Sequence, residues 1–529
     1  MRPDDGSGPV ERRRVGVDGL TEIRHRDVVI VGGGIAGVAI AELLARRSSL
    51  SVMLLERAPE LGTGSSGRIE GWFHTGALYS GTDDGQTFLN CVNSLEDLIN
   101  HYSPHFPGRC NMVLQEAGPG LWVPVAKAAG DGWFHAAPVY YILPRADSPD
   151  IRLSRFRNDA LYLEIHRQRV LSRLEAAYGT RHSWRNGGRC VAPRYDQIEA
   201  PAENAASLVD ASGVLHDLCF RFDQSFGLPE AAYDAIRSHD VPMDSGAILR
   251  DLVSSALARG VDVETGVDVD RLVTDRSTPP RLDSLRCRRA DGSGLHVRAR
   301  LFVFAIGAGF AEHLHELGLR ARLRQSKSTM VVVSPALDGP SFARMSLRER
   351  FHFNHLVQRG IVDGRIVSYS MLANSGYSVD ETPEERGASE IDTLLNSAER
   401  YFGGEALYGR RLFAYECVKT EFVSEDDEKR RYSYWIEGDP ASNWLAVLPG
   451  KFSFFPTVAH QACLRIKEML DFKDAATALV EAESAEHRAR VAHLVAPPYP
   501  LQILADMTAA ARCSGPPSGS LRGCDARSF

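Results

Sequence analysis

No stretch of the chain approaches the ~18–20 uninterrupted apolar residues that a membrane span requires, so no integral membrane span is expected. A secretory signal is missing as well: residues 1–24 (MRPDDGSGPVERRRVGVDGLTEIR) carry basic residues but no apolar core, and read as a flexible leader. Positive charge is in deficit. The 61 Lys and Arg against 68 Asp and Glu leave a formal charge of −7, which argues against nucleic acid as a partner and against a polybasic membrane anchor. Cysteine is sparse and dispersed: Cys91, Cys110, Cys190, Cys219, Cys287, Cys417, Cys463, Cys513 and Cys524 form no C-x-x-C pair and no zinc-ligand spacing. Such a set reads as reduced thiols in a cytoplasmic protein without a metal site. Internal repeats are absent.

What is present is an ordinary globular composition, 44% hydrophobic and 24% charged, over 529 residues. That length implies two or three structural units. Order is expected to begin at Asp27. The run VVIV at 28–31 reads as a buried parallel strand. Val38, Ala39, Ile40, Leu43 and Leu44 then supply the buried side of a helix, and SVMLLE at 51–56 reads as a second strand. Further helices are predicted at 85–100, 166–177, 244–259 (with Asp244 or Ser245 as N-cap) and about 457–471. Strand-like pieces stand at 261–266, 267–273, 301–309, 328–334 and 444–448. The tail from 512 reads as disordered.

The spacing of Gly32, Gly34 and Gly37 is the G-x-G-x-x-G fingerprint of a dinucleotide site. The first glycine allows the strand-to-helix turn, the second admits the pyrophosphate, and the third lets the helix lie close on the strand. Ile35 and Ala36, between them, begin the helix whose N-terminal N–H groups favour phosphate. Glu56 follows Gly34 at the end of the second strand, placed to accept hydrogen bonds from a ribose, and Arg57 stands next to the adenosine position. On these residues alone, NAD and FAD are both open.

Three later segments resemble the D-amino-acid oxidase superfamily of FAD-dependent oxidoreductases, nearest its glycerol-3-phosphate dehydrogenase and L-2-hydroxyglutarate dehydrogenase branch. The first is GTGSSGRIEGWFHTGALY (62–79), similar to a Ser-rich loop that ends in His-x-Gly and a Tyr. The second is VPMDSGAILRDLVSSALARGVDVETGVDVDRL (241–272) followed by LFVFAIGAG (301–309). The third is LPGKFSFFPTVAHQA (448–462), similar to a Gly-Gly-Lys segment with Pro449 in place of the first glycine. The resemblance implies an α/β fold: a discontinuous Rossmann-like FAD-binding domain with a parallel sheet, plus a mainly antiparallel α+β substrate domain. It divides the chain into FAD-binding parts at 27–100, 240–320 and 440–471, substrate-domain parts at 101–239 and 321–439, a C-terminal helical extension at 472–511 and a tail at 512–529.

The resemblance further implies FAD as cofactor, with Val269 beside the adenine, Ala305 and Gly307 packed on the cofactor, and Ser65 and Ser66 hydrogen-bonded to it. Gly450, Lys451 and Phe452 then approach the flavin, where a cation or backbone N–H groups stabilise the reduced ring. Three roles are open to His74: structural, flavin contact or acid/base, and covalent attachment. His355, Tyr369, Tyr415 and Lys419 are candidates for the substrate face, and Cys417 between them reads as a packing residue. A second nucleotide fingerprint and the Gly-Asp-Ala motif of aromatic hydroxylases are both missing. The partners are therefore a small-molecule substrate and an external electron acceptor: oxygen, a quinone or a carrier. The expected activity is hydride transfer from a C–H next to OH or NH. The alternatives are an amine or amino-acid oxidase and a non-catalytic flavin-bearing accessory subunit.

Overall fold

Val28, Val29, Ile30 and Val31 in succession need cover on both faces of a strand, and they have it at the middle of a sheet. The computed structural model describes residues 22–76, 86–118, 121–137, 139–144, 233–275, 281–313, 322–344, 353–374, 383–423, 433–438, 441–474 and 484–514. The chain opens with β1 (Glu22–Val31), α1 (Ile35–Arg47) and β2 (Val52–Leu55). There follow β3 (Trp72–Phe73), α2 (Gln86–His101), the hairpin of β4 (Met112–Gly118) and β5 (Leu121–Ala126), β6 (Val139–Pro144), β7 (Tyr233–Arg237) and β8 (Val241–Pro242). Next come α3 (Ser245–Ala258), β9 (Asp262–Glu264), β10 (Val267–Thr274), β11 (Leu282–Arg289), β12 (Gly294–Phe304) and the short α4 (Phe310–His313). The third quarter holds β13 (Arg322–Ser334), β14 (Ser341–Arg344), β15 (Phe353–Val362), β16 (Arg365–Ala373), α5 (Pro383–Phe402) and β17 (Arg411–Val423). β18 (Trp435–Glu437), β19 (Trp444–Leu448), α6 (Phe455–Leu470), α7 (Ala485–Leu494) and α8 (Tyr499–Ser514) complete it.

The first sheet has eight strands, in the order β10-β11-β12-β1-β2-β9, with β19 against the far end of β12 and β18 beyond it. Its centre is parallel: β1 pairs with β12 and β2, β2 with β9, and β12 with β19. The sheet is mixed rather than wholly parallel, because the β10–β11 hairpin and β18 join it antiparallel. Alternation along β1 divides two cores. Val28 and Ile30 pack with α1, α2, α3 and α6, while Val29 and Val31 pack with residues of the β10–β11 hairpin and β19.

α1 is covered all round, so its polar residues are buried too. Arg46 donates to Glu42 at 2.7 and 3.1 Å, and Ser255 of α3 completes the pair at 2.8 Å. Asp244 caps α3 by accepting the Ala247 N–H at 2.8 Å.

The second sheet has seven strands in the order β17-β13-β16-β15-β14-β6-β7, antiparallel except where β14 meets β6. α5 covers one face, and Leu501 and Leu504 of α8 pack on the other. Among the described residues no helix is long and apolar enough to cross a membrane. The described cysteines are buried and free.

The structure corrects several sequence-based boundaries. β1 starts at Glu22, not Asp27, because residues 22–26 pair with residues 295–299 of β12 and Arg24 and Arg26 hold Asp262 at 3.0 and 2.7 Å. α6 starts at Phe455, two residues before Thr457. A 3-10 turn, Phe452–Phe454, leads into it, and Pro456 occupies its first turn, where a missing N–H costs nothing. α8 runs to Ser514, past the expected start of the tail, and the rest of that tail lies outside the described residues, as does the helix predicted at 166–177.

Candidate active site

Between β1 and α1 lies the turn Gly32-Gly33-Gly34, which is tightest at its first glycine. Gly32 has φ +111, and a Cβ there would stand 2.4 Å from the Ala305 carbonyl oxygen. At Gly37 a Cβ would stand 1.9 Å from the Gly32 carbonyl oxygen, so helix and turn touch backbone to backbone. Glu56 closes the turn from β2: it accepts the Gly33 N–H at 2.6 Å and the Ala58 N–H at 2.8 Å. The loop after Leu61 is laid across the start of α1. Gly62 N–H donates to Gly33 O at 3.0 Å, and Ser66 Oγ accepts the Ile35 N–H at 2.9 Å.

That turn forms part of the lining of a cavity of about 430 Å³. Gly32, Gly34, Ile35, Ala36, Glu56 and Arg57 line it from the first βαβ unit. Val269 on β10, Ala305 and Gly307 after β12, and Gly450, Lys451 and Phe452 before α6 line it from the rest of the first sheet. Ser65, Ser66 and His74 come from the loop, and Cys417 and Lys419 from β17 of the second sheet. Of the residues singled out for cofactor or catalysis, Gly37 alone is not in the lining; its place is the contact beneath the turn. Arg57 is exposed and 3.7 Å from Glu312. Ser65 Oγ donates to the Val418 carbonyl at 2.6 Å, which ties the loop to the second sheet.

His74 is buried, with its ring 4.6 Å from that of Trp72. Its Nδ1 is 3.0 Å from Asp240 Oδ2. Asp240 is fully enclosed and also receives Thr75 N–H and Oγ1, both at 2.7 Å, and the Tyr141 hydroxyl. Burial opposes its charge, but these bonds from His74, Tyr141 and Thr75 outweigh it and hold the carboxyl below its ordinary value. An ionised carboxylate only accepts, so His74 Nδ1 carries the proton and Nε2 is the acceptor nitrogen. Burial, with Lys451 and Lys419 nearby, lowers the His74 pKa to about 4, so the ring is neutral at pH 7.

One residue of this site has no place in the sequence-based set. Glu70 lines the same cavity, hydrogen-bonded to Asn354, and its Oε1 is buried with no partner among the described residues. Burial raises its pKa to about 7 against the pull of Lys419 and Lys451. The signal was a lone carboxylate inside Gly67-Arg68-Ile69-Glu70-Gly71-Trp72-Phe73, where a solvated acid is out of keeping with the apolar residues after it.

The proposed substrate face is only partly assembled. Lys419 and Cys417 line the cavity. His355 does not: it is buried on β15, between the Pro340 carbonyl at 3.0 Å and Ser370 Oγ at 2.8 Å. Tyr415 is buried against Tyr499 of α8. Tyr369 lines a separate, much smaller cavity. The period-two alternation of a strand sends these side chains into packed layers, and sequence cannot say which layer carries the site.

The donor set suits a dinucleotide: a helix N-terminus at a side-chain-free turn, an acid at the end of β2, and two lysines with a 3-10 turn and helix start at Phe452–Phe455. Comparison with known proteins agrees. The family described as FAD dependent oxidoreductase (DAO) matches residues 27–427. A mitochondrial L-2-hydroxyglutarate dehydrogenase of Nematostella vectensis is 46% identical over 87 residues, 16% of this chain and 19% of that protein. One subunit of the anaerobic glycerol-3-phosphate dehydrogenase of Escherichia coli K12 is 47% identical over 67 residues, 13% of this chain and 12% of that protein. The aligned stretches thus span under a fifth of either relative. Among solved structures, glycine oxidase from Geobacillus kaustophilus superposes with a TM-score of 0.51 at 13% identity, covering 87% of this chain and 100% of that one. The L-alpha-glycerophosphate oxidase of Mycoplasma pneumoniae, with FAD bound, gives 0.50 at 12% identity, covering 87% and 98%. With the matched family spanning most of its length, the chain belongs to the DAO family of FAD-dependent oxidoreductases.

Proposed function

We propose that this oxidoreductase removes a hydride from a C–H next to OH or NH of a small polar substrate, and that oxygen, a quinone or an electron carrier reoxidises it. The observation that carries this is the gathering of Glu70, His74, Lys419 and Lys451 in the cavity that the glycine turn also lines, with both lysines close enough to act on Glu70 and His74. When bound, FAD supplies a two-electron, one-hydrogen acceptor. Gly32, Gly34 and the start of α1 would hold its pyrophosphate, Glu56 its ribose and Val269 its adenine side. Ser65 and Ser66, already bonded to Val418 and Ile35, hold the loop in place around it. Lys451, the start of α6 and the preceding 3-10 turn hold negative charge in place. His74, fixed by Asp240, offers Nε2 to a substrate hydroxyl or amine.

Anaerobic mixing of the holoprotein with a panel of hydroxy acids, polyol phosphates, amino acids and amines tests the reading. One class should bleach the flavin absorbance. Ammonia or a free amine among the products would assign the amine side. A flavin that no member reduces, yet that dithionite does, would point instead to an accessory role.

A further inference from the structure

Behind the main cavity lies a second, of about 10 Å³, lined by Asp244, Gln358, Arg359 and Tyr369 and bounded by Pro498 and Leu501. That volume is about what one water molecule needs, and its walls supply polar partners. Ile69, Glu70, Gly71 and Met243 line both cavities, and of these only Glu70 can carry a proton. Arg359, in the wall of the small cavity, is exposed. Glu70 lies between the two cavities, with Oε1 buried and without a partner among the described residues.

We propose that Glu70 is the proton port of the active site: it accepts the substrate's O–H or N–H proton in the main cavity and releases it outward through the water-sized one. The inference deepens the function proposed above and rests on it. The electron balance is that of an alcohol or amine oxidation. The C–H hydrogen leaves with its electron pair to FAD, the oxidant; the O–H or N–H bond breaks, its pair becomes the second bond of C=O or C=N, and its proton passes by way of His74 Nε2, neutral at rest, to Glu70. Every charged neighbour suits a residue that gains and loses a proton near neutrality. Lys419 and Lys451 hold the ionised form, burial favours the protonated form, and the balance lies at about 7. His74 stays neutral on the inner side, and Asp244 and Arg359 face it on the outer. Tyr415 also senses its charge, but its hydroxyl is held protonated by burial.

The test needs no substrate, so a failed metabolite panel leaves it intact. Holoprotein is reduced anaerobically and in weak buffer by electrons from a cathode through methyl viologen, which carries no protons, while a pH electrode counts protons taken up per FAD between about pH 5 and about pH 9, a span enclosing the ordinary and the raised carboxyl values. Reduction adds negative charge to the cavity, so the wild type should take up extra protons near neutrality and fewer at both extremes. Glu70→Gln, which keeps the size and the Asn354 hydrogen bond, should lose that excess; Glu70→Asp should keep it at a shifted pH. Asp244→Asn, still an N-cap, should slow the uptake several-fold without changing its stoichiometry. Uptake in the wild type that is flat with pH, or the same curve in Glu70→Gln, would overturn the port. Unchanged kinetics in Asp244→Asn would overturn the exit route. Should Glu70→Gln fail to hold FAD, Glu70→Asp decides: a curve that does not move in pH relative to the wild type would overturn the port.

Discussion

At the scale of single residues the glycine turn sets the strictest demand. A methyl group at Gly37 would lie 1.9 Å from the Gly32 carbonyl, whereas one at Gly34 would lie 3.2 Å from the movable Ser66 hydroxyl. Gly37→Ala is therefore expected to yield protein without FAD, and Gly34→Ala protein that retains part of it; the ratio of flavin to protein absorbance checks the order. Lys451→Met should lower the midpoint potential of bound FAD by on the order of 30 mV, the equivalent of ~1.4 kcal/mol for a two-electron couple. An unchanged potential would give the work to the N–H groups that begin the 3-10 turn. The glycine spacing, Glu56 and Lys451 were legible because each answers a backbone or charge requirement within a short stretch. Glu70 was not, since its role depends on Lys419 and Asn354, each more than 280 positions away. His355 was misplaced because a histidine on a strand looks alike whether it faces a site or a packed layer.

Among the elements, α1 departs furthest from expectation. Its helical period predicted one buried side, but α2, α3 and α6 enclose the other, and the Glu42–Arg46 pair is shut in with it. Removing one partner of such a pair leaves the other charge stranded, so Glu42→Ala should cost roughly 3–5 kcal/mol, measurable by urea unfolding. The loop over α1 depends on another element far along the chain. Leu61 N–H donates to Leu494 O at 2.7 Å, Ala496 N–H donates to Leu61 O at 3.1 Å, and the Arg68 guanidinium lies 4.1 Å over the Tyr499 ring. Ala496→Pro removes one of these bonds, and about 1 kcal/mol should appear as roughly fivefold weaker FAD binding in titrations of flavin-stripped protein. None of this bracing could be foreseen, because Leu61 and Val495 sit in segments with no shared pattern.

For the molecule as a whole, pH should act through buried histidines spread along the chain. Burial lowers the pKa of His74 and His355 to about 4 and of His105 to about 3, from an ordinary 6.5. All are neutral when folded and charged when unfolded across that interval. Unfolding then takes up protons, and stability falls as pH drops from 6.5 toward 4. Glu70, raised from 4.5 to about 7, binds its proton in the folded state and opposes the trend as a single group against these three and against His101 and His135, which burial also lowers. Melting temperatures should thus fall between pH 7 and pH 5, and His355→Asn, which leaves the cavity lining unchanged, should shallow the slope. The two-part architecture was legible from the recurrence of α/β text around the glycine motif and of strand text at 328–425. The mixed character of the first sheet was not, because strand direction follows from connections rather than composition.

The bridge between Leu61 and Val495 also orders events in time. During synthesis the glycine turn emerges early, but β12, β19 and α6, which flank it, and the segment that clamps its covering loop arrive last. At ~5–20 residues per second, some tens of seconds separate the two sides of that bridge on the ribosome. Through that interval the nascent chain presents β1 paired with β2 but without β12 for part of that time, and a loop over the nucleotide turn without its clamp. A chain that stops before Val495 would lack the Ala496 bond to Leu61 and the Tyr499 ring beneath Arg68, and should hold its flavin more weakly than the longer chain.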